Sequence, residues 1–202
     1  MIELAKLRFR VTDLCHVQFG YNPLGRLQPA GGSGRLAVQL RDFDGDGRLD
    51  GTALHHYALP DVPERYLVQT GDVLFRSRGD HTTAAIVEGL NEPTVVILPL
   101  VILRPRTAAL DPRFLAWAIN QPAAQRHLDA GAQGQNLRMI PRPCLESLPV
   151  DLPDRRTQAA IVVADALAAE EARLAARLAS LKRQRITACL ADAARRHAME
   201  PA

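Results

Sequence analysis

The sequence predicts an α+β fold: a twisted, mostly antiparallel sheet domain with short helices over residues 1–153, then one long coiled-coil-like helix over residues 154–198. Three observations predict it. Short apolar runs separated by turn residues fill the first half of the chain. Asp111-Pro112 and Pro122 punctuate a helical stretch. From Asp154 onward no Gly or Pro occurs before Pro201.

Leu36 to Leu40 is a short apolar strand between Gly31-Gly32-Ser33-Gly34 and an acidic turn. Tyr66 to Val68, Asp72 to Arg76, Thr83 to Val87, Thr94 to Leu98 and Leu100 to Leu103 supply further strands with turn residues between them. Asp111 is an N-cap and Pro112 a first-turn proline for a helix running toward Asn120. Pro122 ends that helix ahead of a second one around Ala124 to Ala130.

The C-terminal run opens on Asp154, a good N-cap, and continues mostly in Ala, Leu, Arg and Glu, the strongest helix formers. At about 1.5 Å per residue it extends about 65 Å, whereas a compact body of the preceding size has a diameter on the order of 40 Å. A helix that overhangs its own domain is expected to need a partner if it carries an apolar stripe. Leu167, Leu174 and Leu181 recur every seven residues, with Ala164, Leu178 and Ile186 nearby on the same side. Glu171 and Arg185 interrupt the seam, so the pattern is an imperfect coiled coil. Pairing with a helix of another chain is expected, with Leu167, Leu174, Leu178 and Leu181 as the dimer residues.

Composition sets limits. A chain of 202 residues with 47% hydrophobic content has ample material for one domain and a helical extension. No signal-type apolar run follows Met1, and no stretch of about 18 apolar residues suits a membrane span, so a cytoplasmic protein without membrane contact is expected. Cys15, Cys144 and Cys189 are odd in number and widely spaced, which argues for reduced thiols. The net charge of +3 is mild for a nucleic-acid binder, but nearly every cation is Arg, with Lys6 and Lys182 the only lysines. Arg offers a planar fork that grips phosphate and reads guanine O6 and N7 together.

Signatures of catalysis are missing. Asp42-Phe43-Asp44-Gly45-Asp46-Gly47-Arg48-Leu49-Asp50 matches the first nine positions of a calcium loop, but position twelve is Ala53 and a strand precedes the loop. A solvated Asp–Gly turn is the better reading. Asn22-Pro23-Leu24 and Asp111-Pro112-Arg113 fall short of the motif that holds a flipped adenine for methylation. Gly31-Gly32-Ser33-Gly34 lacks the Gly-Lys-Ser/Thr of a phosphate loop. His16, His55, His56 and His81 have no metal-ligand spacing with one another or with the cysteines. Neither cofactor, metal nor catalysis by this chain alone is expected.

The stretch Leu148-Pro149-Val150-Asp151-Leu152-Pro153-Asp154-Arg155-Arg156-Thr157-Gln158-Ala159-Ala160-Ile161, followed by a leucine-spaced helix, resembles the junction in specificity subunits of type I restriction-modification systems. In that family a target-recognition domain ends in a Leu-Pro segment, a short linker with a Gln follows, and then a long helix. Upstream, Leu40 to Asp50 is similar to the family's acidic turn. Gly71-Asp72-Val73-Leu74-Phe75-Arg76-Ser77-Arg78-Gly79 is similar to its Gly-Asp strand and Arg-Gly loop. Leu100 to Pro105, Asp111 to Trp117 and Gly134-Gln135-Asn136-Leu137 continue the resemblance, which covers nearly the whole chain. Typical members hold two recognition domains and two long helices, whereas 202 residues hold one of each, so the resemblance implies a half-length form.

The resemblance implies double-stranded DNA and a modification (methyltransferase) subunit as partners and leaves open whether a restriction subunit joins them. One domain would read one half of a bipartite target, and a homodimer through the C-terminal helix would set the spacer. Three loops carry the candidate DNA-reading residues. The first offers Tyr21, Arg26 and Gln28, and the second Arg76, Arg78, His81 and Thr82 on a Gly-hinged loop. The third offers Gln133, Gln135, Asn136 and Arg138, with amides suited to adenine N6 and N7. The alternatives are a homodimeric DNA-binding regulator or decoy half-subunit acting without a methyltransferase, and a coiled-coil adaptor with no DNA selectivity.

Overall fold

The computed structural model describes residues 8–44, 47–49, 51, 54–79, 82–134 and 138–198. The chain divides into two compact units, Met1–Ala159 and Ala160–Ala202. Two four-stranded sheets dominate the first. One has the order β2 (Cys15–Phe19), β9 (Leu100–Pro105), β6 (Val73–Arg76), β7 (Ala84–Ile86), all antiparallel. The other runs β4 (His55–Tyr57), β3 (Arg35–Val38), β8 (Thr94–Val96), β5 (Leu67–Val68), with β3 and β8 parallel and the other neighbours antiparallel. A two-stranded pair, β1 (Arg8–Arg10) with β10 (Pro149–Asp151), ties the start of the described chain to the segment before the long helix. The α+β fold class expected from the sequence is the observed one.

Alternation along the strands builds the core between the two large sheets. Leu74, Leu100 and Ile102 of the first meet Leu36, Val38, Val68 and Val96 of the second in one buried cluster, which also takes in Phe43. The opposite face of the second sheet carries Ala37 and Val95, covered by Tyr57, Val62 and Ile97. On the first sheet, helix α2 (Pro112–Asn120) packs on β6 and β7. Its buried Phe114, Leu115 and Ile119 form the apolar face that Asp111-Pro112 begins. Asp111 accepts the Arg113 N–H at 2.9 Å as the N-cap. Asn120 at the other end bonds both backbone groups of Ala84, each at 2.8 Å, and so occupies the free edge of β7. Helix α3 (Pro122–Gly131) follows directly.

The structure adds elements that the sequence reading left as loops: β1, β2, β4, β10, helix α1 (Val11–Leu14) and helix α4 (Arg142–Glu146). The strand expected over Leu36 to Leu40 ends at Val38, because the Gln39 N–H is taken by Asp42 Oδ2 at 2.7 Å and the chain turns there. The three cysteines are free. Cys15 is fully buried, and that burial pushes its thiol up to about 12, so it stays protonated and inert at neutral pH.

The Gly-Asp motif has a structural meaning. Asp72 is 2% exposed and receives a two-pronged guanidinium contact from Arg104, Nε to Oδ1 at 2.8 Å and Nη2 to Oδ2 at 2.7 Å. The hydrogen bond to Asp72 raises the Arg104 pKa further. Arg104 also donates to the Leu67 carbonyl at 3.0 Å, so this ion pair links the first sheet to β5 of the second.

Helix α5 runs Arg155–Ala198. Its first turn belongs to the sheet unit. Thr157 donates its N–H to Asp154 Oδ1 at 2.8 Å, and this backbone bond lowers the Asp154 pKa. Gln158 is completely buried and fully bonded: its amide nitrogen donates to the carbonyls of Ala109 at 2.8 Å and Pro153 at 2.7 Å, while its oxygen accepts the Asp111 N–H at 2.7 Å. From Ala160 the helix is a unit of its own, on which Val163, Leu167, Leu174, Leu178, Leu181, Ile186 and Leu190 are all exposed. No described helix is long and apolar enough to cross a membrane.

Candidate nucleic-acid interface

Strand register brings two of the three candidate loops to one edge of the first sheet. β2 leaves the sheet at Phe19 opposite Val101, and β6 leaves it at Arg76 opposite Leu100, where β9 begins. The turn Ile97–Leu100 between β8 and β9 therefore lies between the two exits. On one flank Gly20 donates to the Leu100 carbonyl at 2.9 Å, Tyr21 donates to Val96 at 2.7 Å, and Leu98 donates back to Tyr21 at 3.0 Å. The approach leaves no space for a side chain: a Cβ on Gly20 would sit 2.8 Å from Ile97 C and Leu98 N. On the other flank Ser77 donates both its N–H, at 3.2 Å, and its hydroxyl, at 2.6 Å, to the Pro99 carbonyl.

The third loop joins the same edge through backbone pairing. Ile140 donates to the Ser77 carbonyl at 2.8 Å and Gly79 to the Arg138 carbonyl at 3.0 Å, with Arg78 bridged to Met139. Gly79 makes this turn at a φ of 112°, in the left-handed region that favours glycine. Gln133 and Met139 exchange two bonds of 2.9 Å. Arg78, Met139 and Gln133 are thus successive rungs of one irregular ladder.

Not all expected residues serve this edge as surface. Arg26, Gln28, Arg78, Gln133 and Arg138 are exposed. Among the described residues the guanidinium groups of Arg26 and Arg78 have no ion-pair partner, whereas Arg138 is bonded to Asp129 at 2.6 Å. Gln28 fixes its loop by accepting the Ala58 N–H at 2.9 Å. Tyr21 is half-buried edge-on against Tyr66, with ring centroids 5.5 Å apart, so its ring is chiefly packing. Thr82 differs most from expectation: it is 6% exposed, its hydroxyl donates to Gln125 Oε1 at 3.0 Å, and its carbonyl accepts from Gln125 Nε2 at 2.9 Å. It supports the loop from below rather than offering a group to a ligand. Arg76 is half-buried with its guanidinium 5.6 Å from the centroid of the Phe43 ring, and its Nε has no bond. His81, Gln135 and Asn136 lie outside the described residues.

The edge also contains residues that no sequence signal marked. Met139 is half exposed between Arg78 and Gln133, and on the loop after Tyr21 Leu24 is fully exposed two residues before Arg26. Arg142 lies 5.8 Å above the Phe19 ring at the end of β2. The acidic turn behaves as a folded turn. Asp44 Oδ1 accepts the Arg48 N–H at 2.8 Å, and Phe43 pairs with Leu49. Burial raises the Asp42 pKa, opposed by the Gln39 N–H. No cluster of metal-ligating side chains occurs among the described residues.

Chemically, this edge offers cationic forks and primary amides held on tightly bonded backbone, a set suited to phosphates and base edges. No family model matches the chain, and no curated protein matches it in sequence. Solved structures do. A chain from a study of complex assembly and conformational transition in a type I R-M system aligns with a TM-score of 0.59 and 20% identity, over 83% of this chain and 39% of that one. The type I restriction-modification S subunit from M. genitalium aligns at 0.52 and 14%, over 91% and 45%. The HsdS subunit from Thermoanaerobacter tengcongensis aligns at 0.58 and 20%, over 83% and 38%. The chain therefore shares the fold of type I specificity subunits and spans less than half the length of each of these proteins.

Proposed function

We propose that this chain is a non-catalytic DNA-specificity subunit of a type I restriction-modification methyltransferase complex, reading one half of a bipartite target and recruiting modification subunits. The observation that carries this reading is the common edge, where Arg78, Gln133 and Arg138 are exposed on backbone paired beside the Ile97–Leu100 turn, with Arg26 exposed on the loop that leaves it at Tyr21, on a fold shared with specificity subunits. Arg78 is the base reader of first choice, because it is exposed, lacks an ion-pair partner among the described residues, and is carried on backbone bonded on both sides. Arg26 and Arg138 grip phosphate, and Gln133 offers the paired donor and acceptor that adenine requires. A homodimer built through Leu167, Leu174, Leu178 and Leu181 reads an inverted repeat, since a two-fold protein demands two-fold half-sites. Flipping and methylation of the base belong to the modification subunits, with which a restriction subunit can assemble.

The test is selection of bound duplexes from a random pool by the chain together with its modification subunit. Enrichment of two identical inverted half-sites at fixed spacing is expected, with Arg78→Ala reducing the preference by about 1–3 kcal/mol at one base position. A pool that stays random, with binding that merely falls with salt, would reject sequence reading.

A further inference from the structure

Outside α5, two large apolar side chains stand exposed among the described residues, Met139 and Leu24. Met139 sits on the ladder beside Arg78, and Leu24 rides on the loop that leaves the edge at Tyr21. That loop is anchored at both ends. Tyr21 is bridged to Ile97 and packs with Tyr66 on the outer face of the second sheet, where Leu27 packs as well. Beyond Leu27 the Gln28 carbonyl accepts the Ala58 N–H at 2.9 Å, and Ala30 donates to the His56 carbonyl at 3.1 Å. Between these anchors Asn22-Pro23-Leu24-Gly25-Arg26 forms a short finger. Gly25 turns it at a φ of 94°, with no atom within 4 Å of the place a Cβ would take. Leu24 at the tip is fully exposed, and Arg26, two residues on, is exposed too.

We infer that Leu24 is a specificity-determining residue: the finger enters the major groove and sets Leu24 against the 5-methyl group of a thymine, while Arg26 meets the phosphate beside it. The inference rests on the DNA-reading proposal above and adds to it a residue and the base group that residue recognises. In the major groove the thymine methyl is the apolar group that base edges present, so a leucine on a DNA-facing loop has its complement there. Cytosine in the same place presents a bare C5–H and an amine donor, which a leucine would cover without bonding. The other use of an apolar tip is as a wedge between base steps, which must bear the cost of unstacking them and so needs a side chain braced from behind. Leu24 has no brace, since its side chain is fully exposed and the glycine after it stands in open space. A methyl contact deforms nothing and needs no such support.

Duplexes recovered from the random pool by the full chain with its modification subunit, remade with uracil in place of each thymine in turn, test this. Uracil keeps O4 and the base pairing and removes the methyl group alone. At one position the change is expected to weaken binding by wild type roughly fourfold, the value of one buried methyl-sized group. Leu24→Ala is expected to bind the thymine duplex more weakly and to lose the difference between thymine and uracil at that position. Leu24→Met, which keeps an apolar tip, is expected to retain the difference. Because Leu24 is fully exposed, thermal unfolding of both variants is expected to match wild type. If a site is recovered but no thymine position distinguishes wild type from Leu24→Ala, the methyl contact is overturned while sequence reading stands. A pool that stays random overturns sequence reading and this contact together.

Discussion

Leucines serve opposite ends in the two units of this molecule. In the sheet domain Leu74, Leu100 and Leu103 are wholly buried, each held by strands whose register is fixed on two sides. On α5, Leu167 is 67% exposed and Leu174 and Leu178 are each 53% exposed, although the same residue type recurs there at regular spacing. A buried leucine contributes to the stability of its own chain. A leucine repeated every seven residues on an exposed face contributes nothing comparable until another surface covers it. The first region buries its leucines within its own chain, and the second leaves them exposed.

The sharpest way to break this contrast is to truncate one leucine in each region. Leu103→Ala is expected to destabilise the domain by about 3–4 kcal/mol, through lost burial and the cavity left behind, as measured by urea unfolding. Asp72→Ala comes next, at about 3 kcal/mol, since it leaves the Arg104 guanidinium at the sheet junction without its partner. Asp72→Glu offers no rescue if the two-pronged geometry matters. Gln158→Ala is expected to cost about 2 kcal/mol by stranding the Ala109 and Pro153 carbonyls and the Asp111 N–H. Leu174→Ala is expected to change domain unfolding by less than about 0.5 kcal/mol while lowering self-association in sedimentation. Equal losses of unfolding free energy for Leu103→Ala and Leu174→Ala would erase the distinction.

The strands that were readable from sequence are those with dense β-branched or aliphatic runs and clear turn residues beside them, such as Val73–Arg76, Thr94–Val96 and Leu100–Pro105. Those missed lack this signal. Cys15–Phe19 carries His and Gln among its apolar residues, and His55–Tyr57 spans three residues with two histidines. Each is a strand because a long-range partner exists, β9 for one and β3 for the other. The long helix and its Asp154 cap were legible because helical periodicity and capping are local.

The candidate site divides in the same way. Sequence marks which loops carry forks and amides, but not that Ser77 to Gly79 pairs with Arg138 to Ile140, a contact between segments some sixty residues apart. Nor does it show which side chains the scaffold consumes. Thr82 is taken by Gln125, Tyr21 by Tyr66, and Arg76 is drawn over Phe43 of the acidic turn. The Gln of the linker, legible only as part of a motif, is the fully bonded Gln158 that fastens the first turn of α5 to the segment preceding α2.

The most direct test of the central claim is light scattering of the purified chain, alone and after mixing with a type I modification subunit from the same genome, followed by assay of the mixture for adenine methylation. The account predicts a dimer that takes up modification subunits and then methylates a bipartite target. A monomer, or a dimer that ignores the modification subunit, would contradict it.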